Sequence, residues 1–118
     1  MIRLSVIALI VVLASCSRTI ERGPAPKNLL SKEKMVEVMT EMVKLESYVK
    51  DTYKQVPVYH KSMARSGDSL LESFSLTREN YESSLDYYGK RQDQMKEIYD
   101  DVLEELNKEI GKLQSEKK

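Results

Sequence analysis

Apolar residues recur along much of the chain at the three- and four-residue steps of an amphipathic helix. The first such stretch is Met35, Val38, Met42, Leu45 and Val49; Val36, Met39 and Val43 widen its stripe to about half of the helix circumference. A stripe that wide needs neighbours on two sides. Ser31 stands where an N-cap is wanted, with Leu30 and Met35 placed as a hydrophobic staple across it. Lys34 occupies the position from which a Glu would complete the capping box. Pro57 restricts Val56 and cannot donate to the turn behind it, which predicts that this helix fades near Gln55.

Residues 59–74 show helical spacing in Met63, Leu70, Leu71 and Phe74, interrupted by Ser66-Gly67-Asp68. They predict a second helix, with Gly67 as the place where it would break. Thr77 then begins afresh as an N-cap, with Leu76 and Tyr81 as its staple pair. Tyr81, Leu85 and Tyr88 mark the buried face of a short third helix, and Gly89 follows as a natural C′ residue. The last helix is expected from about Arg91 to Leu113, with Met95, Ile98, Tyr99, Val102, Leu106, Ile110 and Leu113 on one stripe. Asp100, Asp101, Glu104 and Glu105 fall mostly off that stripe, and the charged tail 114–118 is expected to fray. No stretch alternates as a strand does, and β-branched residues are sparse after the first fifteen positions. The expected class is all-α, a small bundle of three to four helices over residues 28–113.

The N-terminus obeys another pattern. Arg3, the apolar run 4–13, and the small residues Ala14 and Ser15 make residues 1–15 a secretory signal peptide. The run falls well short of the roughly 20 apolar residues that span a bilayer. Leu13-Ala14-Ser15-Cys16 resembles the lipobox of a bacterial lipoprotein, which implies that Cys16 becomes the lipidated first mature residue. With ~0.8 kcal/mol per buried CH₂, a lipid of two or more chains holds a protein at a membrane stably. Residues 16–27, with Gly23, Pro24 and Pro26, read as a lipidated tether with a reach of about 40 Å. Ser17, and the absence of an acidic cluster in residues 17–22, point to the periplasmic face of the outer membrane.

Removal of the signal leaves enough chain for one small domain. The full chain balances 19 basic residues against 19 acidic ones, so nothing marks nucleic acid as a partner. Cys16 is the sole cysteine, which excludes an internal disulfide and leaves core packing or a partner to hold the fold.

Candidate chemistry is thin. His60 is the sole histidine, so neither a His pair for zinc nor a conventional Ser-His-Asp triad can be assembled. The Asp100, Asp101, Glu104 and Glu105 carboxylates lie on adjacent turns, yet no Gly-containing loop is present to wrap calcium, and a solvated helix face explains them. No catalytic residue, metal or cofactor is therefore expected. Met35, Met39 and Met42 share a face of the first helix, where adaptable side chains could form a groove for a partner; core filling demands the same spacing. Tyr87, beside Tyr88 but on the opposite side of the third helix, is the other candidate partner-binding residue.

Three segments, Pro26-Lys27-Asn28-Leu29-Leu30-Ser31-Lys32-Glu33-Lys34-Met35-Val36, Leu76-Thr77-Arg78-Glu79-Asn80-Tyr81-Glu82-Ser83-Ser84-Leu85-Asp86-Tyr87-Tyr88 and Met95-Lys96-Glu97-Ile98-Tyr99-Asp100-Asp101-Val102, carry a family resemblance. Together they resemble the small lipoproteins of Bacteroidetes-type bacteria classed as domain of unknown function 4296, over most of residues 24–106. These are helix starts and packing positions, and residues 58–67 fit least well. The resemblance implies a helical, lipid-anchored envelope domain of unassigned activity and carries over no catalytic residue. The expected role is a non-catalytic binding or accessory subunit of an envelope assembly, or a helper of client proteins. Its partners would be the membrane, through Cys16, and a protein. A carrier of a small apolar ligand or lipid would instead enclose an apolar cavity of about 300 Å³ or more between the first and fourth helices. An enzyme is disfavoured by the missing constellation.

Overall fold

The computed structural model describes residues 23–118; the signal peptide, Cys16 and the first part of the tether lie outside them. Four helices follow one another: α1 (Lys32–Thr52), α2 (Val56–Ser73), α3 (Arg78–Gly89) and α4 (Gln92–Glu116), with no strand among the described residues. The architecture is an all-α small bundle.

Each helix starts where local chemistry favours it. At α1 the Ser31 hydroxyl accepts the Lys34 amide at 3.1 Å. The Lys34 side chain, having no box to close, pairs with Glu37 at 2.9 Å and lies 5.2 Å from the centre of the Phe74 ring. Thr77 builds a complete capping box, in which Asn80 does what a Glu or Gln usually does. Pro57 falls in the first turn of α2, where its missing N–H would have had no partner, so it opens one helix as well as closing another.

Three expectations need correction. α2 runs unbroken through Gly67, because that glycine is buried against α1: a Cβ there would lie 3.9 Å from the Met42 sulfur. Close helix packing offsets the glycine's backbone cost. The left-handed C-terminal residue expected at Gly89 occurs at Ser75 instead, with φ +58° and the Leu76 N–H donating to the Leu71 carbonyl at 2.9 Å. Gly89 stays inside α3, which passes into α4 through a right-handed Lys90. α4 continues past Leu113 to Glu116, since the Gln, Glu and Lys of the tail are good helix formers.

α1 is the central element, packed against α2 on one side and α4 on the other, and α3 contacts both of those outer helices. Two ion pairs fix the register. Lys32 binds Glu97 at 2.5 Å and Lys44 binds Glu109 at 3.0 Å, a separation of 65 positions in both, so α1 and α4 run parallel. α2 runs antiparallel to α1, with Lys34 over Phe74 at one end and the Tyr59 hydroxyl donating to Glu46 near the other. α3 is docked at the end where α1 begins: Tyr88 donates to the Leu30 carbonyl at 2.6 Å, and the Leu30 N–H donates to the buried Ser84 hydroxyl at 3.0 Å.

The main core therefore gathers at that end, around Met35, Met39, Tyr88, Met95, Ile98 and Val102, with Leu30, Leu85 and Leu106 against it. At 12 residues α3 covers only about 18 Å, roughly half the length of its longer neighbours. Along α4 the expected stripe divides. Met95, Ile98 and Val102 are buried and Leu106 is half-buried, whereas Tyr99, Ile110 and Leu113 stand exposed.

Candidate functional site

Two of the open hollows that border α1 bear on function. The first, of about 370 Å³, lies among α1, α2 and α3 and is lined by Met42, Met63, Leu71, Tyr81 and Leu85. Helical periodicity puts these side chains together: Met42 leaves the same face of α1 as Met35, and Met63, Gly67 and Leu71 follow one another at steps of four on α2. Gly67 contributes no side chain, which leaves room above the Met42 sulfur. Arg78, at the start of α3, binds Asp68 through Nε at 3.0 Å and Nη2 at 2.8 Å, and Nη2 also reaches the Ala64 carbonyl at 3.3 Å. These bonds hold α3 to α2 and fix the width of the groove. His60, Asp68, Arg78 and Glu82 form a polar rim around an apolar floor. Burial pushes the Tyr81 hydroxyl above the usual tyrosine range, aided by nearby Tyr99, so at neutral pH the groove wall is uncharged there.

The second hollow, of about 400 Å³, runs between α1 and α4 and is open to solvent. Glu33, Glu37 and Glu41 from α1, and Asp101, Glu104, Glu105 and Glu109 from α4, surround a small floor of Val36 and Thr40. Lys44 bridges it, bonded to Glu41 at 2.6 Å and Glu109 at 3.0 Å, and those two bonds raise its pKa. Its acid lining differs from the enclosed apolar cavity that a carrier would need at this place. Among the described residues no three or more His, Cys, Asp or Glu side chains converge on a point that could hold a metal ion.

The candidate partner-binding residues separate. Met35 and Met39 are buried in the main core beside Met95 and Ile98, so the methionine face does not form one open groove; the stripe is wide enough that α4 covers one half of it. Met42 alone of the three lines a hollow, and Met63, read in the sequence only as a helix position, joins it there. The spacing Met63-Gly67-Leu71 held the missing signal, a glycine set between two apolar residues one turn away on either side. Tyr87 is half-buried, not free. The Arg91 guanidinium lies 3.6 Å from its ring centre, Tyr88 meets it edge-on at 5.2 Å, and residues 23–26 share a hollow with it. Arg91 also donates to the Tyr87 carbonyl at 2.8 Å and to the Gly23 carbonyl at 2.9 Å, so this tyrosine receives the incoming tether. His60 is exposed and packs edge-on against Tyr59 at 5.2 Å.

A family model described as Domain of unknown function (DUF4296) matches residues 26–112, from the tether to the last turns of α4. The chain belongs to this family. Both hollows and the Arg91–Tyr87 stack lie within the matched region. No curated protein and no solved structure gives a match. No described helix is long and apolar enough to cross a membrane.

Proposed function

We propose that this chain is a Bacteroidetes-type lipoprotein, held through Cys16 at the periplasmic face of the outer membrane, whose helical domain binds a protein partner without catalysing a reaction. It serves as an accessory subunit of an envelope assembly or as a helper of client proteins. Leu13-Ala14-Ser15-Cys16 supports the anchor. The observation that supports the binding role is the open groove of Met42, Met63, Leu71, Tyr81 and Leu85. Its two methionines adapt to side chains of different shape, and its charged rim orients what enters. A volume of about 370 Å³ accommodates a few apolar side chains of a partner segment.

The anchor is tested by fractionation: Cys16→Ala should move a folded, helical protein from the membrane to the soluble fraction, and retention at the membrane counts against it. The groove is tested by placing a photo-crosslinking residue at Met63 in native membranes. A discrete adduct is expected, and Gly67→Leu, which fills the groove, should abolish it. Labelling that is absent, or unchanged by Gly67→Leu, would remove the groove from the proposal.

A further inference from the structure

We infer that the outward stripe of α4 is a contact surface for a second copy of this chain. Tyr99, Leu103, Leu106, Ile110 and Leu113 follow one another at steps of four, three, four and three, the spacing of a helix-pairing seam. At 100° per residue these five side chains fall within an arc of about 80°. Ile98 and Val102, which face the core, lie to one side of that arc; Met95 sits at its inner edge and half-buried Leu106 also packs against the core, so the part of the stripe left free is Tyr99, Leu103, Ile110 and Leu113. Tyr99 is 51% exposed, Leu103 58%, Ile110 51% and Leu113 58%. Of the acidic residues that line the hollow between α1 and α4, Glu109 borders this stripe, while Asp101, Glu104 and Glu105 lie farther round the helix.

Charge favours a like partner. On the outer edge of the stripe stand Asn107, Gly111 and Gln114, all uncharged, while Asp100 is neutralised by Lys96 at 2.6 Å. On the inner edge Glu109 is already held by Lys44 of the same chain. Between Tyr99 and Leu113 the stripe itself carries no charged residue, so over that span two copies meeting along it bring no like charges together. The stripe exposes on the order of 400 Å² of apolar side chain, a patch large enough to mark an interaction site. Doubled across a two-fold axis and extended by its uncharged edge, it reaches the roughly 1,000 Å² that a specific interface requires. A two-fold contact asks for a surface that complements itself, and a Leu/Ile seam between neutral edges does so.

The test uses single cysteines in the full chain, in its native form and in a Cys16→Ala background. Leu113→Cys and Ile110→Cys should each give a disulfide-linked dimer under mild oxidation in both backgrounds. Lys108→Cys, on the opposite side of α4, should give severalfold less. Adding Ile110→Glu to Leu113→Cys should abolish the dimer while leaving the helical circular dichroism unchanged, since Ile110 is half exposed within one chain. Equal crosslinking from Lys108→Cys, no crosslinking from Leu113→Cys, or persistence with Ile110→Glu would overturn the inference. A dimer formed by the native chain without an added cysteine would show Cys16 to be an unmodified thiol; that outcome strikes the lipid anchor, while the Cys16→Ala series still decides this contact.

Discussion

Ser75 holds a backbone conformation, φ +58°, that costs an ordinary L-residue roughly 1 kcal/mol or more, yet the turn after α2 requires it. Ser75→Gly should remove that cost and raise the thermal midpoint by several degrees, measured by circular dichroism. Gly67 presents the opposite case. Its backbone is helical and an added Cβ would make ordinary contact with the Met42 sulfur at 3.9 Å. Gly67→Ala should therefore stabilise the fold by up to about 1 kcal/mol, through helix propensity and without a clash. Tyr88→Phe should cost about 1 kcal/mol in urea unfolding, because the Leu30 carbonyl loses its 2.6 Å donor where α3 meets the start of α1.

At the scale of the element, what could be read beforehand was what is decided locally. Ser31 and Thr77 cap their helices because a hydroxyl one turn before an amide is sufficient, whatever packs around it. Gly89 and Ser75 exchanged roles because the left-handed residue is chosen by the path of the turn: the one between α2 and α3 closes with Leu76 bonded back to Leu71 through Ser75, whereas the one between α3 and α4 is made by right-handed Lys90. The apolar stripes of α1 and α4 were visible, but periodicity gives a face and not the length of the helix that covers it. Thus Met35 became core, Met42 a groove wall, and Leu113 surface, from patterns that look alike in the sequence. Tyr87 was visible as an aromatic on the outer side of α3; Arg91, four positions on, was the missed partner that ties it to the tether. Arg91→Ala should free residues 23–28 to exchange their amide hydrogens faster, while Leu30, held by Ser84, and the helices α1 and α4 stay nearly unchanged.

For the molecule as a whole, two tyrosines and a lysine that the fold engages act in one alkaline direction. Burial raises the pKa of Tyr81 and of Tyr88, and bonds to Glu41 and Glu109 raise that of Lys44. A raised value in the fold means that the contribution is complete below the unfolded value, near 10 for tyrosine, and is lost as pH rises through the folded one. Urea stability should therefore hold from neutral pH to about 9 and fall above about 10, and Tyr81→Phe should move the fall to higher pH. The parallel register of α1 and α4 has a further consequence, for how the molecule can be joined to other things. Both helices begin at the end where the tether enters, so α4 carries Lys118 to the opposite end, about 37 Å away at 1.5 Å per residue. A fluorophore or protein fused after Lys118 would accordingly stand a full helix length from the entry of the tether, like a pennant at the tip of a mast.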